Sequence, residues 1–184
     1  MNMHVTLTSL MVLAACALLA AGVSAQRAKD GGASASTGGA GDASPIFGVT
    51  VPAGHRLWEL VAVSYETAFD EFRGILGNPL AIKACGAGTL PFPDGAMLAK
   101  VAWKHVPSAE DNRALGQIQA FVPGPATTVQ IMIKDSKKYA GTGGWGFGRF
   151  IDGKPVDEAQ HETCFPCHQA YAKAHDLVFT RYAR

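Results

Sequence analysis

Cys164-Phe165-Pro166-Cys167-His168 is the run from which the rest of this 184-residue chain is read. Cysteines at i and i+3 fall on one side of a single helical turn, so both thiols can reach the two vinyl groups on one edge of a haem. His168, next in sequence, then lies beneath the porphyrin with a ring nitrogen placed to ligate iron. Two other uses of C-x-x-C fail on context. A redox dithiol needs a thioredoxin-like βαβ setting that neither flank supplies, and a structural zinc needs a second Cys/His pair at finger-like spacing. The expectation is one covalent haem c per chain, tethered by Cys164 and Cys167, with His168 as the metal ligand.

The other end of the chain agrees with that chemistry. Met1–Ala21 contains an apolar run, and Val23-Ser24-Ala25 forms a small-x-small cleavage pattern ahead of Gln26. Residues 1–25 therefore read as a signal peptide, although the segment before the apolar run holds no Lys or Arg. The run is too short and too Ala-rich for a transmembrane helix. Leu13-Ala14-Ala15-Cys16 also has the look of a lipobox, which leaves a lipoprotein anchored through Cys16 as the lesser alternative. Either route delivers the domain outside the cytoplasm, and a periplasmic location is expected. Residues 26–44 follow as a disordered linker. Gly, Ala, Ser and Thr fill fourteen of the seventeen positions of Ala28–Ser44, too little apolar surface to offset the entropy of ordering. The folded domain is placed at 45–184, long enough for one core. Lys+Arg total 16 and Asp+Glu 15, a net charge of +1 that points to neither nucleic acid nor an anionic membrane as partner.

Within 45–184 the pattern is mixed and mainly β. Arg56–Tyr65 is apolar on both faces, as in a strand buried on two sides. Phe69–Leu76 reads as a further extended segment. Asn78-Pro79 is an N-cap followed by proline at the first helical position, opening a helix that closes at Gly86. Leu90–Gly95 reads as a turn, Ala96–Val106 as a strand, Ser108–Gly116 as a polar loop, and Gln117–Val122 and Thr127–Lys134 as two strands. Asp135–Ala140 reads as a capped helical turn. Gly141-Thr142-Gly143-Gly144-Trp145-Gly146 matches G-x-G-x-x-G, yet it follows a turn and leads into a strand, Trp145–Ile151, so it is not a dinucleotide site. Gly146 and Gly148 strip side chains from one face, which suits the turn itself or the close approach of something flat or of another backbone. Pro155 is expected to open a short helix, Gln169–Ala174 to be helical, and Leu177–Tyr182 to be extended.

Several side chains bear on chemistry. Lys100 shares its face with Leu98 and Ala102. Its amine is either aimed at an apolar interior, where it loses charge and gains nucleophilicity, or carried to water on a stem that lies over apolar surface. A Met or second His on the far side of the iron would make an electron carrier. Only sixteen residues follow His168 and none is Met. Met97 and Met132 lie on strands and read as core, and His55, His105, His161 and His175 read as surface histidines. Iron with one open position is expected. Cys85 is the leftover cysteine, either a buried thiol or half of a disulfide across a dimer.

Four further pieces, taken in order with the haem motif, resemble the cytochrome P-460 family. They are Phe92-Pro93-Asp94-Gly95 with Lys100 five residues past the glycine, Ile133-Lys134-Asp135-Ser136-Lys137-Lys138, Gly144-Trp145-Gly146-Phe147, and Val178-Phe179-Thr180-Arg181. Together they span most of Trp58–Arg184. The resemblance implies an α+β fold, mainly β, in which an antiparallel sheet carries short flanking helices and a C-terminal haem-binding turn. It implies a homodimer, haem c with His168 as proximal ligand, and a bond from the Lys100 amine to a meso carbon of the porphyrin. The related β-type c′ cytochromes share the fold, lack that bond and bind nitric oxide.

The family's reaction is the oxidation of hydroxylamine, with electrons passed to an external acceptor such as a small periplasmic cytochrome c. Phe69 falls where relatives have a distal phenylalanine, and Asp70 is a candidate for proton handling. Active members place a Glu four residues before the Lys-Asp-Ser-Lys run, where this chain has Gln130. An amide hydrogen-bonds a bound nitrogen ligand but takes no proton. The expected function is an oxidoreductase acting on hydroxylamine or nitric oxide. A non-catalytic nitric-oxide-binding haem protein and a plain electron-transfer cytochrome are the alternatives.

Overall fold

The computed structural model describes residues 43–183. The signal peptide, Cys16 and residues 26–42 of the expected linker lie outside the described residues. Ser44 already belongs to the folded part: its hydroxyl donates to the Phe147 carbonyl at 2.9 Å and accepts from the Val49 amide at 3.1 Å.

Six strands make one sheet in which chain order is also spatial order: β1 (Glu59–Glu66), β2 (Glu71–Gly77), β3 (Met97–Pro107), β4 (Phe121–Lys134), β5 (Trp145–Ile151) and β6 (Lys154–Pro155). Every neighbouring pair is antiparallel. Among the described residues four short α-helices accompany the sheet, namely α1 (Pro79–Ala87), α2 (Ala109–Leu115), α3 (Glu158–Glu162) and α4 (Cys164–Ala172). This is the expected mainly-β α+β class. No helix among the described residues is long and apolar enough to cross a membrane.

Local chemistry fixes the joints that carry the site. The Asn78 side-chain oxygen accepts from Ala81 N and Met97 N, both at 3.0 Å, so one residue caps α1 and ties it to the start of β3. The helix runs to Ala87, one residue past the expected stop, and Gly88 takes the left-handed conformation that closes it. Asp94 accepts from the Ser136 amide and hydroxyl, each at 2.7 Å, which locks the turn before β3 to the turn after β4. Trp145, Phe150 and Ile131 are almost fully buried beside Val49 and Val61. Burial of side chains of this size contributes about 1.5–3 kcal/mol each.

Five expectations need correction. β1 is an edge strand, not a doubly buried one: Val61 is its one fully buried residue, while Val63 is 71 % exposed and Leu57, just ahead of the strand, 91 % exposed. Ser108–Gly116 is a helix, because the Ser108 hydroxyl accepts from Asp111 N at 3.3 Å and donates to the Asp111 carboxylate at 2.7 Å. Of the strand expected over Gln117–Val122, residues 117–120 form no strand, and Phe121 and Val122 run on through Pro123-Gly124-Pro125 into the second expected strand as one, β4; register shifts opposite Val101, Trp103 and His105 absorb the residues that cannot complete the ladder. Pro155 closes the small strand β6, and the helix begins later, at Glu158, with Asp157 accepting from Gln160 N at 2.9 Å. The C-terminal segment after His175 carries no strand, although Ala183 N donates to Val61 O at 2.9 Å.

The glycine-rich run does lead into a strand, as expected, and the flat object beside Gly146 is the ring of Tyr139. A Cβ on Gly146 would sit 2.3 Å from that ring. The ring cannot slide away, since Tyr139 is buried and its hydroxyl donates to Phe47 O at 3.0 Å. Gly146→Ala is therefore expected to destabilise the fold by about 1–3 kcal/mol through overpacking. Urea unfolding checks this, and an unchanged midpoint would count against the packing described.

Candidate haem site

The sheet presents one face to a cavity of about 670 Å³, and α4 closes the opposite side of it. Alternation along antiparallel strands decides which residues face in. Lys100 lies opposite Gln130, Gln130 opposite Arg149, and Ile75 beside Lys100, so Ile75, Lys100, Gln130 and Arg149 form one row across four strands. Two residues along, Leu98, Met132 and Phe147 form the next row. All seven line the cavity together with Cys164, Cys167 and His168.

The helix expected over Gln169–Ala174 begins earlier, at Cys164, and ends at Ala172, so the haem motif and the residues after it are one helix. The i, i+3 spacing puts Cys164 and Cys167 on a common side of α4, both as free thiols. Burial pushes the Cys164 thiol above its ordinary range. His168 Nδ1 donates to the Leu177 carbonyl at 2.6 Å. A carbonyl only accepts, so the proton stands on Nδ1 and Nε2 keeps its lone pair. Burial holds His168 below the usual histidine range, which favours that neutral ring. Phe147 and Phe179 pack on the imidazole, with centroids 4.9 and 4.8 Å away.

Lys100 points inward, and its pKa is pushed down to about 8, chiefly by burial and then by the Arg73 guanidinium. Its surroundings match neither of the two readings in full: the amine is turned inward and half-buried, but the cavity it faces also holds Glu66, Glu71, Arg73, Gln130 and Arg149. Phe69 lies at the β1–β2 turn and lines the cavity while remaining more than half exposed. Asp70 is not brought in. It sits in the left-handed conformation (φ 52°), which turns its carboxylate to accept from the Tyr65 hydroxyl at 2.9 Å and to face His105 Nδ1 at 3.4 Å.

The carboxylates that do reach the cavity are Glu66 and Glu71, joined by Arg73 at 3.1 Å to each. Burial pushes Glu71 up, but hydrogen bonds from Thr127 (2.7 Å) and Arg73 outweigh it and hold the carboxyl below its usual range. This cluster was invisible in the sequence. Alternation of Glu71, Arg73 and Ile75 on β2 is its one signal, and that signal needs the face to be known first.

His161, read as a surface residue, is fully buried. Its Nδ1 donates to Asp157 O at 2.8 Å and its Nε2 accepts from Arg149 N at 3.0 Å, so it ties α3 to β5 beside the cavity. Cys85 is partly buried on α1 and packs against the core, with its thiol pushed up by burial. The cavity's one histidine and one methionine, among the described residues, are His168 and Met132. Met132 lies beside Phe147 across the β4–β5 ladder, and the Phe147 ring packs on His168.

These residues fit a haem. The cavity lies within the size range of cofactor sites. Arg149 and Thr128 both line it, and two of their buried polar atoms, Arg149 Nε and Thr128 Oγ1, have no partner in the protein. Two thiols and an imidazole with a free lone pair stand on one helix wall. Sheet, cavity and C-x-x-C-H helix together define a haem protein with a sheet-walled pocket. Residues 52–180 match the model of the family described as Cytochrome P460, and the chain belongs to that family. The search of curated proteins returned no match. As a member of this family the protein is a haem protein.

Proposed function

We propose that this chain is an exported haem c protein with one haem per chain, bonded through Cys164 and Cys167 and ligated by His168, that oxidises hydroxylamine or converts nitric oxide. The observation that carries this reading is the Lys100–Gln130–Arg149 row, which shares one cavity with the C-x-x-C-H helix. Haem iron, when bound, supplies an electron-accepting centre for a small nitrogen ligand. Met132 lies beside Phe147, which packs on His168, and no second histidine lines the cavity among the described residues, which supports an iron position left open to that ligand.

Oxidation of hydroxylamine to nitric oxide releases three protons and three electrons. The electrons pass to an external one-electron acceptor, for which a small periplasmic cytochrome c is the proposed partner. The protons need an acceptor at the site. Gln130 can orient the ligand by hydrogen bonds but takes none, and both carboxylate oxygens of Glu71 are already engaged, Oε1 by the Thr127 hydroxyl and Oε2 by Arg73. That deficit favours the second reading, a haem protein of the β-type c′ kind that binds or buffers nitric oxide without turnover.

Lys100 is the proposed third attachment. Bond formation between its Nζ and a meso carbon removes one hydrogen from each, two protons and two electrons in all, and so needs an oxidant of the peroxide class. The attacking amine must be neutral. With a pKa of about 8, roughly a tenth is neutral at pH 7 and about nine-tenths at pH 9. Peroxide-treated holoprotein is expected to develop its red-shifted ferrous Soret band several-fold faster at pH 9 than at pH 7. Lys100→Arg is expected to keep an ordinary haem c spectrum at both. A red-shifted band in the arginine variant would exclude the attachment.

A second copy of the chain is the proposed partner for the other sheet face. An apolar groove of about 540 Å³ opens there, lined by Leu60, Phe72, Trp103 and Phe121. Leu60 is half exposed on edge strand β1. Leu60→Asp is expected to convert a dimer into a monomer in analytical ultracentrifugation, and a wild-type monomer would contradict this assignment.

A further inference from the structure

We propose that Lys134 and Asp176 form a positioning pair that sets the donor strength of His168 by holding the Leu177 carbonyl against its Nδ1. This rests on the reading that His168 ligates haem iron. Lys134, at the end of β4, is 5 % exposed, and its ammonium lies 2.8 Å from both carboxylate oxygens of Asp176. The same ammonium donates to Gly143 O at 3.1 Å and stands 5.0 Å over the Trp145 ring. Asp176 also accepts from Phe92 N at 2.8 Å. One buried charge pair therefore gathers the end of β4, the loop before β5, the turn before β3 and the segment after α4.

That last segment needs holding. Asp176 and Leu177 are consecutive non-glycine residues in the left-handed region, with φ of 51° and 65°. Such a conformation is unfavourable and persists only where the surroundings over-determine it. Leu177 N donates back to Ala172 O at 3.0 Å, and the Leu177 side chain fills the space where a Cβ on Gly143 would lie, 2.8 Å away. With both neighbours fixed, the Leu177 carbonyl is aimed at His168 Nδ1, 2.6 Å distant.

A short bond of this kind draws the Nδ1 proton toward oxygen and raises electron density at Nε2. A stronger Nε2 donor stiffens the iron–histidine bond and favours ferric over ferrous iron. Lys134 and Asp176 touch neither the ring nor the cavity, and they act through Leu177.

The test is resonance Raman of the ferrous holoprotein, read at the iron–histidine stretch, with the reduction potential measured alongside. Asp176→Asn keeps an acceptor for Phe92 N and a residue at home in the left-handed region. The paired change Lys134→Met with Asp176→Asn leaves no lone buried charge, and so guards against simple misfolding. Both variants are expected to retain haem, to lower the stretching frequency, and to shift the ferric/ferrous equilibrium toward ferrous by about tenfold, about 59 mV for one electron. Ser108→Ala, which removes the cap of α2 away from the cavity, is expected to lower stability and leave the frequency unchanged. Haem-loaded variants with wild-type frequency and potential would overturn the proposal. Absence of an iron–histidine band in the wild-type protein would overturn the reading of His168 itself.

Discussion

Gln130→Glu is expected to raise hydroxylamine turnover by about 10²-fold or more, the usual contribution of a positioned general base. Gln130 lies between Lys100 and Arg149 in the row that faces the cavity. A carboxylate at this position would keep the same place on β4 and add an acceptor for the protons that hydroxylamine loses. The two neighbouring cations stabilise its charged form, so it is ionised and ready to accept at neutral pH. Steady-state oxidation of hydroxylamine with an artificial electron acceptor measures the effect. An unchanged rate would mean that proton removal at this place is not limiting, and the nitric-oxide-binding reading would then lose its main support.

Replacing both Cys164 and Cys167 with alanine is expected to abolish covalent retention of haem in protein kept from peroxide, where the proposed Lys100 bond has no oxidant to form it. The two thiols are the proposed attachment points on α4, and among the described residues the third cysteine, Cys85, is on α1 and does not line the cavity. His168 and its bond to Leu177 O remain in the variant, so haem added to it can be held by coordination but not by carbon–sulfur bonds. Extraction with acidified organic solvent separates the outcomes. Haem should leave the double variant and stay with the wild-type chain, and haem that resists extraction from the variant would show attachment elsewhere.

The parts of the fold legible in the sequence are those written in local chemistry. Asn78-Pro79 opened α1 where the capping rule put it, and the C-x-x-C-H run placed its two thiols on one helical side. The capping box at Ser108 and Asp111 carried the same kind of signal, but a seven-residue helix offers too few turns to show an apolar stripe. β4 read as two strands because Pro123 and Pro125 break the pattern, whereas a bulged partner tolerates them. The exposed apolar face of β1 read as buried because composition does not tell a covered face from an open one.

For the site, alternation put Lys100 on one face with Leu98 and Ala102 without deciding where its amine lies, the family resemblance singled out Gln130, and the register sets the two side by side. Asp70 was misjudged because a left-handed backbone turn redirects its side chain, and nothing in the residue type announces that turn. The contacts that hold the site pair residues far apart in the chain: Glu71 with Thr127, His161 with Arg149, Lys134 with Asp176. Each is made by the fold, and none has a spacing from which it could be read.

Titration of the purified ferrous protein with nitric oxide, followed by its optical spectrum, bears most directly on the account. The expected result is a red protein with a covalently held haem that takes up one nitric oxide per chain and changes spectrum on doing so. A colourless protein, or one whose haem spectrum is unmoved because side chains occupy both axial positions, would contradict it.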